Sequence, residues 1–266
     1  MSKSLSTIQV QKFNAEGFLS PIDVFTEQET QAHRTEFEAF ESRHGDRFKT
    51  NMHLISDWAF KVVTDARILD AVEDVLGPNF HIWSLNWFIK EPAEMKQVTM
   101  HQDSEYWGLL PFDVVTAWLA LTDAGELTGP MRFLPGSHMQ SLTHEETWAD
   151  DNLLTRGQRL TQVIDPQDTV LAPLKAGQMS LHHVRVVHGS DPNKSDDRRI
   201  GMVIRFIATH VTQTKLKDTA MLVRGQDHFQ HFDQMAPPGI DMGEAELARW
   251  QDSVQRMHKA IMDQPD

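Results

Sequence analysis

The sequence predicts an α+β protein whose core is an antiparallel sandwich or barrel. Helical patterns fill the first 80 residues, short apolar runs follow over residues 80–210, and a helical pattern returns near the C-terminus. Segregated helices and strands are typical of α+β folds, and many short strands favour two packed sheets or a closed one. A chain of 266 residues is long enough for one such domain. We therefore expect a single domain over residues 1–266 with its core at about 80–210.

Each element has its own signal. Thr26 and Glu29 form the pattern of a capping box at a helix start, and Gly77-Pro78 ends a later helix. Pro21 places the first strand at a sheet edge, because proline cannot donate to a central ladder. The predicted helices cover residues 7–16, 26–43, 65–76 and 243–263, and the predicted strands cover residues 18–25, 82–89, 114–121, 131–134, 169–171, 179–188 and 200–208.

Residues 139–168 interrupt the strands with a long polar stretch that has no strand pattern. Connections of this length inside a compact domain are commonly active-site lids or binding loops. We expect this segment to act as a lid.

Composition excludes several classes of function. The formal net charge of −13 disfavours nucleic acid and anionic membrane as partners. The absence of cysteine excludes disulfides, thiolate metal sites and a cysteine nucleophile. We find neither a signal peptide nor an apolar run long enough to span a membrane, so a cytoplasmic protein is expected. The sequence is compatible with a homodimer but specifies none.

His101-Gln102-Asp103 is the first chemical motif. On a strand, positions 101 and 103 face the same side, about 6.6 Å apart, while Gln102 faces away. A second histidine would complete a 2-His-1-carboxylate face, which leaves open positions on non-haem Fe(II). His188, at the end of an apolar run, is the candidate. Alone, the H-x-D triplet is a weak signal among 14 histidines.

Arg199 strengthens the metal hypothesis. The polar residues 191–197 predict a turn, so a hairpin would return the chain past His188 and place Arg199 on the neighbouring strand. A guanidinium there can bind the far carboxylate of an α-keto acid that chelates the metal. His182 shares a face with His188 but is expected about 20 Å away along one continuous strand, too far to share the metal.

The order of four motifs resembles the phytanoyl-CoA dioxygenase family. They are H-x-D at 101–103, A-W-x-A-L-T-D at 117–123, G-P-M-R-F-L-P-G-S-H at 129–138, and H-G-S-x-P-N-x-S-x-x-R-R at 188–199. Each motif is weak by itself, but the combination is specific. The resemblance spans about Ile82 to Ile207 and implies a double-stranded β-helix (jelly-roll, cupin-like) core with flanking N- and C-terminal helices.

The family uses Fe(II), 2-oxoglutarate and O2, so the resemblance implies these cofactors here. By the same resemblance, iron is bound by His101, Asp103 and His188, and 2-oxoglutarate is bound by Arg199, Ser190 and Trp118. The family often has a basic residue where this chain has Asn51, which leaves one cosubstrate contact open. Related halogenases replace the carboxylate ligand with a small residue, so Asp103 implies hydroxylation.

The substrate is expected to be a small polar metabolite, since the sequence lacks a basic cluster suited to coenzyme A. The C-terminal pattern is similar to bacterial members that hydroxylate organophosphonates, such as 2-aminoethylphosphonate or its trimethylammonium analogue. An ectoine-like, betaine, amino-acid or acyl substrate is the alternative. The candidate substrate contacts are Glu105, Tyr106, Trp107, Asn86 (with Trp87 beside it) and Arg205. Arg205 has a second interpretation, as a salt-bridged strand residue. Tyr106 and Trp107 also have a second interpretation, as residues that pack in the hydrophobic core.

Two other classes of function stay open at this point. One is a metal-binding barrel that senses or isomerises a small acid without 2-oxoglutarate, for which Arg199 would have no use. The other is a scaffold without metal, which requires three motifs to coincide by accident.

Overall fold

The computed structural model describes residues 3–262. Over that range the α-helices are α1 (Thr7–Glu16), α2 (Glu27–His44), α3 (Asp57–Val63), α4 (Ala66–Leu76), α5 (Ser104–Trp107) and α6 (Glu244–Met262). The strands are β1 (Phe18–Asp23), β2 (Phe80–Lys90), β3 (Val98–His101), β4 (Leu109–Leu110), β5 (Val114–Ala120), β6 (Met131–Phe133), β7 (His144–Glu146), β8 (Gln158–Leu160), β9 (Val170–Ala172), β10 (Gln178–His183), β11 (His188–Ser190), β12 (Arg199–Ala208), β13 (Thr212–Gln213), β14 (Thr219–Arg224) and β15 (Asp233–Gln234).

Local sequence explains where the early helices begin and end. The Thr26 hydroxyl accepts from the Glu29 amide at 3.3 Å, and the Glu29 carboxylate accepts from the Thr26 amide at 2.8 Å. This reciprocal pair confirms the predicted capping box. Gly17 ends α1 with a φ of 82°, a conformation that costs glycine little.

Two sheets face each other to form the core. The large sheet has the order β1-β10-β5-β12-β2-β14-β15, and the small sheet has the order β3-β11-β6-β9. The core strands alternate between the two sheets except at β6 and β9, which are neighbours in the small sheet, and this is the pattern of a double-stranded β-helix. The predicted α+β class with a jelly-roll core and flanking helices is confirmed. Strand β1, which contains Pro21, lies at the sheet edge as expected.

Helices α1 to α4 cover the outer face of the large sheet. Alternation along β2 sends Leu85 and Trp87 outward into this apolar layer, where the Trp87 ring lies 4.0 Å from that of Phe37. Asn86, between them, faces the space between the sheets. Trp87 was therefore wrong as a companion of Asn86 in the substrate pocket.

The structure corrects the predicted strand at 179–188. The chain leaves the large sheet after His183, crosses over residues 184–187, and enters the small sheet at His188. The turn that follows is also a crossover and not a hairpin, because β12 pairs with β2 and β5 in the large sheet. Arg199 thus faces the site from the opposite sheet. An apolar run cannot reveal such a crossover, since both of its halves are buried.

Residues 139–168 contain a short hairpin of β7 and β8, which the sequence pattern did not indicate. Its strands are three residues long and largely polar, so no alternation is visible. Within residues 3–262, no helix combines the length and the apolar character needed to cross a bilayer.

Gly201 gives a test of how tightly the large sheet packs. A Cβ atom there would lie 2.1 Å from Cζ2 of Trp118. We expect Gly201→Ala to lower the free energy of unfolding by about 1–3 kcal/mol, as overpacked cores do. Urea denaturation would measure this. Gly125→Ala is the matched control, since its φ is −90° and nothing lies within 4 Å of the added carbon. Equal unfolding midpoints for the two variants would contradict the packing described here.

Candidate metal centre and substrate cavity

His101, Asp103 and His188 converge at one mouth of the jelly roll. Candidate ligand atoms of all three lie within 4.8 Å of one another. Nε2 of His101 is 3.3 Å from the Asp103 carboxylate, and Nε2 of His188 is 3.9 Å from it. The convergence comes from register, because His188 on β11 is the direct cross-strand partner of His101 on β3. Asp103 follows at the end of β3, where the chain turns into α5.

Both imidazoles are oriented for metal binding. Nδ1 of His101 is 2.9 Å from the Thr99 carbonyl, and Nδ1 of His188 is 3.0 Å from the Val186 carbonyl. A carbonyl only accepts, so each Nδ1 carries the proton and each Nε2 presents a lone pair to the centre. Burial lowers the pKa of His188 to about 4, which keeps the ring neutral near pH 7. This donor set of two nitrogens and a carboxylate fits Fe(II).

Gln102, between the two ligands, faces away from the centre and is fully buried. Its side-chain nitrogen donates to the carbonyls of Gln140 and Arg185 at 2.8 and 2.6 Å, and its oxygen accepts from the Leu142 amide at 2.8 Å. Its backbone amide donates to Nε2 of His144 at 2.8 Å. The start of the 139–168 segment is therefore bonded to the backbone that carries the metal ligands.

A cavity of about 250 Å³ adjoins the three ligands. Its floor is the inner face of the large sheet, where alternate residues of β12 (Arg199, Val203 and Arg205) point inward. Arg199 is fully buried, and its guanidinium lies 5.3 Å from the Trp118 ring, which packs over Gly201. Six residues separate the two arginines, which corresponds to about 20 Å along a strand. The floor thus has a cation at each end and an apolar middle.

The guanidinium of Arg199 has few hydrogen-bond partners within the protein. Nη1 donates to the Gly129 carbonyl at 2.5 Å, while Nε has no hydrogen-bond partner in the part of the chain that the structure describes. Burial lowers the pKa of Arg199 to about 10, so it stays charged near pH 7. Ser190, on β11, lines the same end of the cavity. A buried cation without a carboxylate partner is the environment that an anionic ligand requires.

Arg205 stands at the other end of the floor, near the metal ligands. It donates to Ser84 Oγ at 3.1 Å and to Asn86 Oδ1, and its guanidinium lies 4.6 Å from the Trp107 ring. These partners are neutral and no carboxylate within residues 3–262 forms an ion pair with Arg205, so its interpretation as a salt-bridged strand residue was wrong. Burial lowers the pKa of Arg205 and the Asp103 carboxylate partly offsets this.

His182 also borders the cavity, contrary to the sequence estimate. Its ring centroid lies 4.7 Å from that of His188, not about 20 Å away. The cause is the crossover over residues 184–187, which folds the chain back between the sheets. Nδ1 of His182 has no hydrogen-bond partner among the described residues.

The other sequence-predicted substrate residues divide into two groups. Tyr106, Trp107 and Asn86 line the cavity. Glu105 is exposed and lines a separate surface groove beside the 139–168 segment. The aromatic rings already face arginines, since Arg156 lies 5.4 Å from Tyr106 and Arg205 lies over Trp107.

The sequence did not indicate the outer wall of the cavity. Helix α6 contributes Val254, Met257 and Ile261, and the 139–168 segment contributes Leu153 and Leu154. Apolar positions at helical spacing in α6 indicated burial but not what they would face. Asn51, where the family often has a basic residue, donates to Ser253 of α6 at 3.0 Å and does not line the cavity.

Comparison with known proteins places this geometry in context. A family model described as phytanoyl-CoA dioxygenase (PhyH) matches residues 13–201. A probable alpha-ketoglutarate-dependent hypophosphite dioxygenase of Stutzerimonas stutzeri is 30% identical over 177 residues, covering 64% of this chain and 61% of that protein. An ectoine dioxygenase of Halomonas elongata is 26% identical over 231 residues, covering 73% and 68%. The first alignment therefore spans less than two thirds of that relative's length.

Solved structures agree over nearly the whole chain. The apo structure of the non-heme monooxygenase ThoJ matches with a TM-score of 0.86 and 32% identity, covering 95% of this chain and 97% of that one. CytC3 with Fe(II) and alpha-ketoglutarate matches with a TM-score of 0.66 at 17% identity, which supports the fold alone.

Gln102→Leu tests the support of the metal centre. The change keeps the size of the side chain but leaves buried carbonyls and one amide unpaired. We expect the free energy of unfolding to fall by about 2–4 kcal/mol and metal affinity to fall about 10- to 100-fold. Thermal unfolding and calorimetric titration with a divalent metal would measure both. Gln140→Leu is the control, because that side chain is exposed and only its carbonyl is used. Unchanged metal affinity in Gln102→Leu would contradict this assignment.

Proposed function

The chain belongs to the phytanoyl-CoA dioxygenase family, and we propose that it is an Fe(II)- and 2-oxoglutarate-dependent dioxygenase that hydroxylates an unactivated C–H bond of a small anionic metabolite. In this proposal His101, Asp103 and His188 bind the iron. Arg199, Ser190 and Trp118 hold 2-oxoglutarate. When bound, the iron centre supplies the oxidation, with O2 as second cosubstrate and succinate and CO2 as products. The chain's own residues bind and orient the ligands, and they exclude water from the cavity.

The environment of Arg205 indicates the class of substrate. Its positive charge stands inside the cavity near the metal ligands, its bonded partners are neutral, and its Nε has no partner within residues 3–262. A desolvated guanidinium in this state favours a carboxylate or a phosphorus oxyanion, which it can bind with two parallel hydrogen bonds. Asn86, whose amide donates to Thr50 Oγ1 at 2.9 Å, holds the guanidinium in place. An anionic group bound by Arg205 would bring the adjacent carbon to the metal ligands.

Cavity size and lining limit the rest of the substrate. About 250 Å³ must hold both the cosubstrate and the substrate, which excludes an acyl-coenzyme A from lying within it. The wall opposite the floor comes from α6 and the 139–168 segment and is largely apolar, with Thr155, Gln158 and His258 as its polar members. We propose that this segment acts as a lid, since Leu153 and Leu154 shield the cavity from water.

An organophosphonate is our first candidate substrate. It joins a phosphorus oxyanion to a short carbon chain, and a relative named as a hypophosphite dioxygenase is named for another phosphorus oxyanion. The rings of Tyr106 and Trp107 already face arginines, so the cavity offers less to a quaternary ammonium than to the anion. 2-Aminoethylphosphonate is therefore preferred over its trimethylammonium analogue. Ectoine, betaines and amino acids are the second class, because they carry a carboxylate that Arg205 could bind.

The cofactor assignment is tested first. Anaerobic addition of Fe(II) and 2-oxoglutarate to the apoprotein should produce the weak visible charge-transfer band of the chelate. His101→Ala should abolish the band because it removes a metal ligand. Arg199→Ala should require a higher 2-oxoglutarate concentration because it removes the carboxylate partner. A band that is unaffected by either change would place the chelate elsewhere.

The substrate class is tested through Arg205. Succinate release should rise above the uncoupled background with at least one phosphonate or betaine, phosphonates being screened first. For that compound, Arg205→Met should raise KM by about 100-fold, which corresponds to losing a charged hydrogen-bonded pair. The 2-oxoglutarate chelate band should be retained.

Arg224→Met is the matched control, since Arg224 pairs with Asp70 and Glu73 on the outer side of the sheet. Loss of the chelate band in Arg205→Met would assign Arg205 to the cosubstrate instead. No response to any phosphonate or betaine would remove both substrate classes.

A further inference from the structure

Lys90, at the end of β2, is a lysine with no exposed surface. Its Nζ is 2.7 Å from Ser190 Oγ, 3.2 Å from the Ser190 carbonyl and 2.5 Å from the Asp191 carbonyl. No carboxylate is among its hydrogen-bond partners in the described chain. Burying an ammonium group in this way is costly, so its presence at the cosubstrate end of the cavity calls for a function.

Counting donors shows what Lys90 does to Ser190. An ammonium group has three N–H donors and no acceptor, and three oxygens surround Nζ. Two of these are carbonyls, so the third N–H is donated to the Ser190 hydroxyl. The Ser190 oxygen is then an acceptor, and its own proton must be donated elsewhere. Because Ser190 lines the cavity beside Arg199, the proton is directed into the cavity.

Lys90 is also coupled to Arg199 by charge. The two residues are direct cross-strand partners on β2 and β12, and both are fully buried. Like charges at opposed positions are destabilising, and an anion bound between them relieves that repulsion. The acidic groups that act on Lys90 are Asp191, in the turn after β11, and Glu94, in the loop after β2. Neither carboxylate is hydrogen-bonded to its Nζ.

We propose that Lys90 is a positioning residue for 2-oxoglutarate, whose ammonium group turns the Ser190 hydroxyl proton toward the carboxylate that Arg199 binds. This inference rests on the proposed roles of Ser190 and Arg199. It adds a fourth residue to Arg199, Ser190 and Trp118 at the cosubstrate end of the cavity, one that acts through Ser190 without touching the ligand.

The proton on Lys90 makes the arrangement sensitive to pH. Burial, with Arg199 adding to it, lowers the pKa of Lys90 to about 6, against the opposing effect of Asp191 and Glu94. Above pH 6 the free protein therefore carries mostly a neutral amine, whose lone pair accepts the Ser190 proton and turns it away from the cavity. Binding of a carboxylate at Arg199 favours the ammonium form. Binding of 2-oxoglutarate at pH 7.5 should accordingly take up close to one proton, and affinity should fall as pH rises above 6.

The test is 2-oxoglutarate binding to the Fe(II)-loaded protein under anaerobic conditions. The chelate band gives Kd, and calorimetry in two buffers of different ionisation enthalpy gives the protons taken up. Lys90→Met should raise Kd about 10- to 100-fold and abolish proton uptake. Ser190→Ala should weaken binding in the wild type but have little further effect in Lys90→Met, because the two residues act as a unit.

Two controls separate this role from structural damage. 2-Oxobutyrate chelates iron but lacks the distal carboxylate, so its Kd should be the same for Lys90→Met and wild type. Lys194→Met, which removes a lysine of the same turn that is exposed, should leave both ligands unaffected. If Lys90→Met weakens both keto acids equally, Lys90 is only a structural tie between β2 and the 190–191 turn.

The experiments distinguish failure of the proposed function from failure of the proposed role of Lys90. Absence of a chelate band in wild type would overturn the proposed function. A normal band that responds to Arg199→Ala, with wild-type Kd and proton uptake in Lys90→Met, would overturn the role of Lys90 alone.

Discussion

The metal centre depends on the register of two short strands. His188 lies directly opposite His101 in the small sheet, and Asp103 follows His101 by two residues. A slip of one residue would move an imidazole to the other face, so the site exists only in this pairing. The Nδ1–carbonyl contacts orient each imidazole within its own segment, and the side chain of Gln102 ties the ligand strand to Arg185, just before β11, and to the 139–168 segment. Ligand geometry and the covering segment therefore share the same supports.

The large sheet carries a second constraint, which is the pattern of charge along its inner face. Alternate residues of β12 place Arg199 and Arg205 at opposite ends of an apolar middle formed around Trp118 and Val203. Neither arginine has a carboxylate partner within the described residues. In the absence of ligands this costs stability, because buried cations are left with neutral partners. When anionic ligands occupy both ends, they pair with the two arginines. This pairing relieves the unfavourable burial of the cations, adds to the binding free energy and orients the ligands.

Much of this could be predicted from the sequence, for local reasons. Capping residues located the helices, apolar runs located the core strands, and H-x-D with a distant H-G-S identified the ligands. The crossovers could not be predicted. One apolar run, residues 179–188, changes sheets in its middle, which brings His182 to 4.7 Å from His188. A second crossover, after β11, returns the chain to the large sheet and places Arg199 opposite His188. Arg199 still faces the site, because the two sheets enclose the same cavity.

Substrate recognition depends on what lies outside the two sheets. Arg156, in the 139–168 segment, donates to the Ile261 carbonyl at 3.0 Å, and Lys215 donates to the Ala260 carbonyl at 2.8 Å. Two cations thus meet the C-terminal end of α6, where its dipole and unpaired carbonyls favour them. The helix and the covering segment are joined at the apolar wall of the cavity. Since the sheets supply metal and cosubstrate contacts, this wall and Arg205 are where substrate preference can change without disturbing the chemistry.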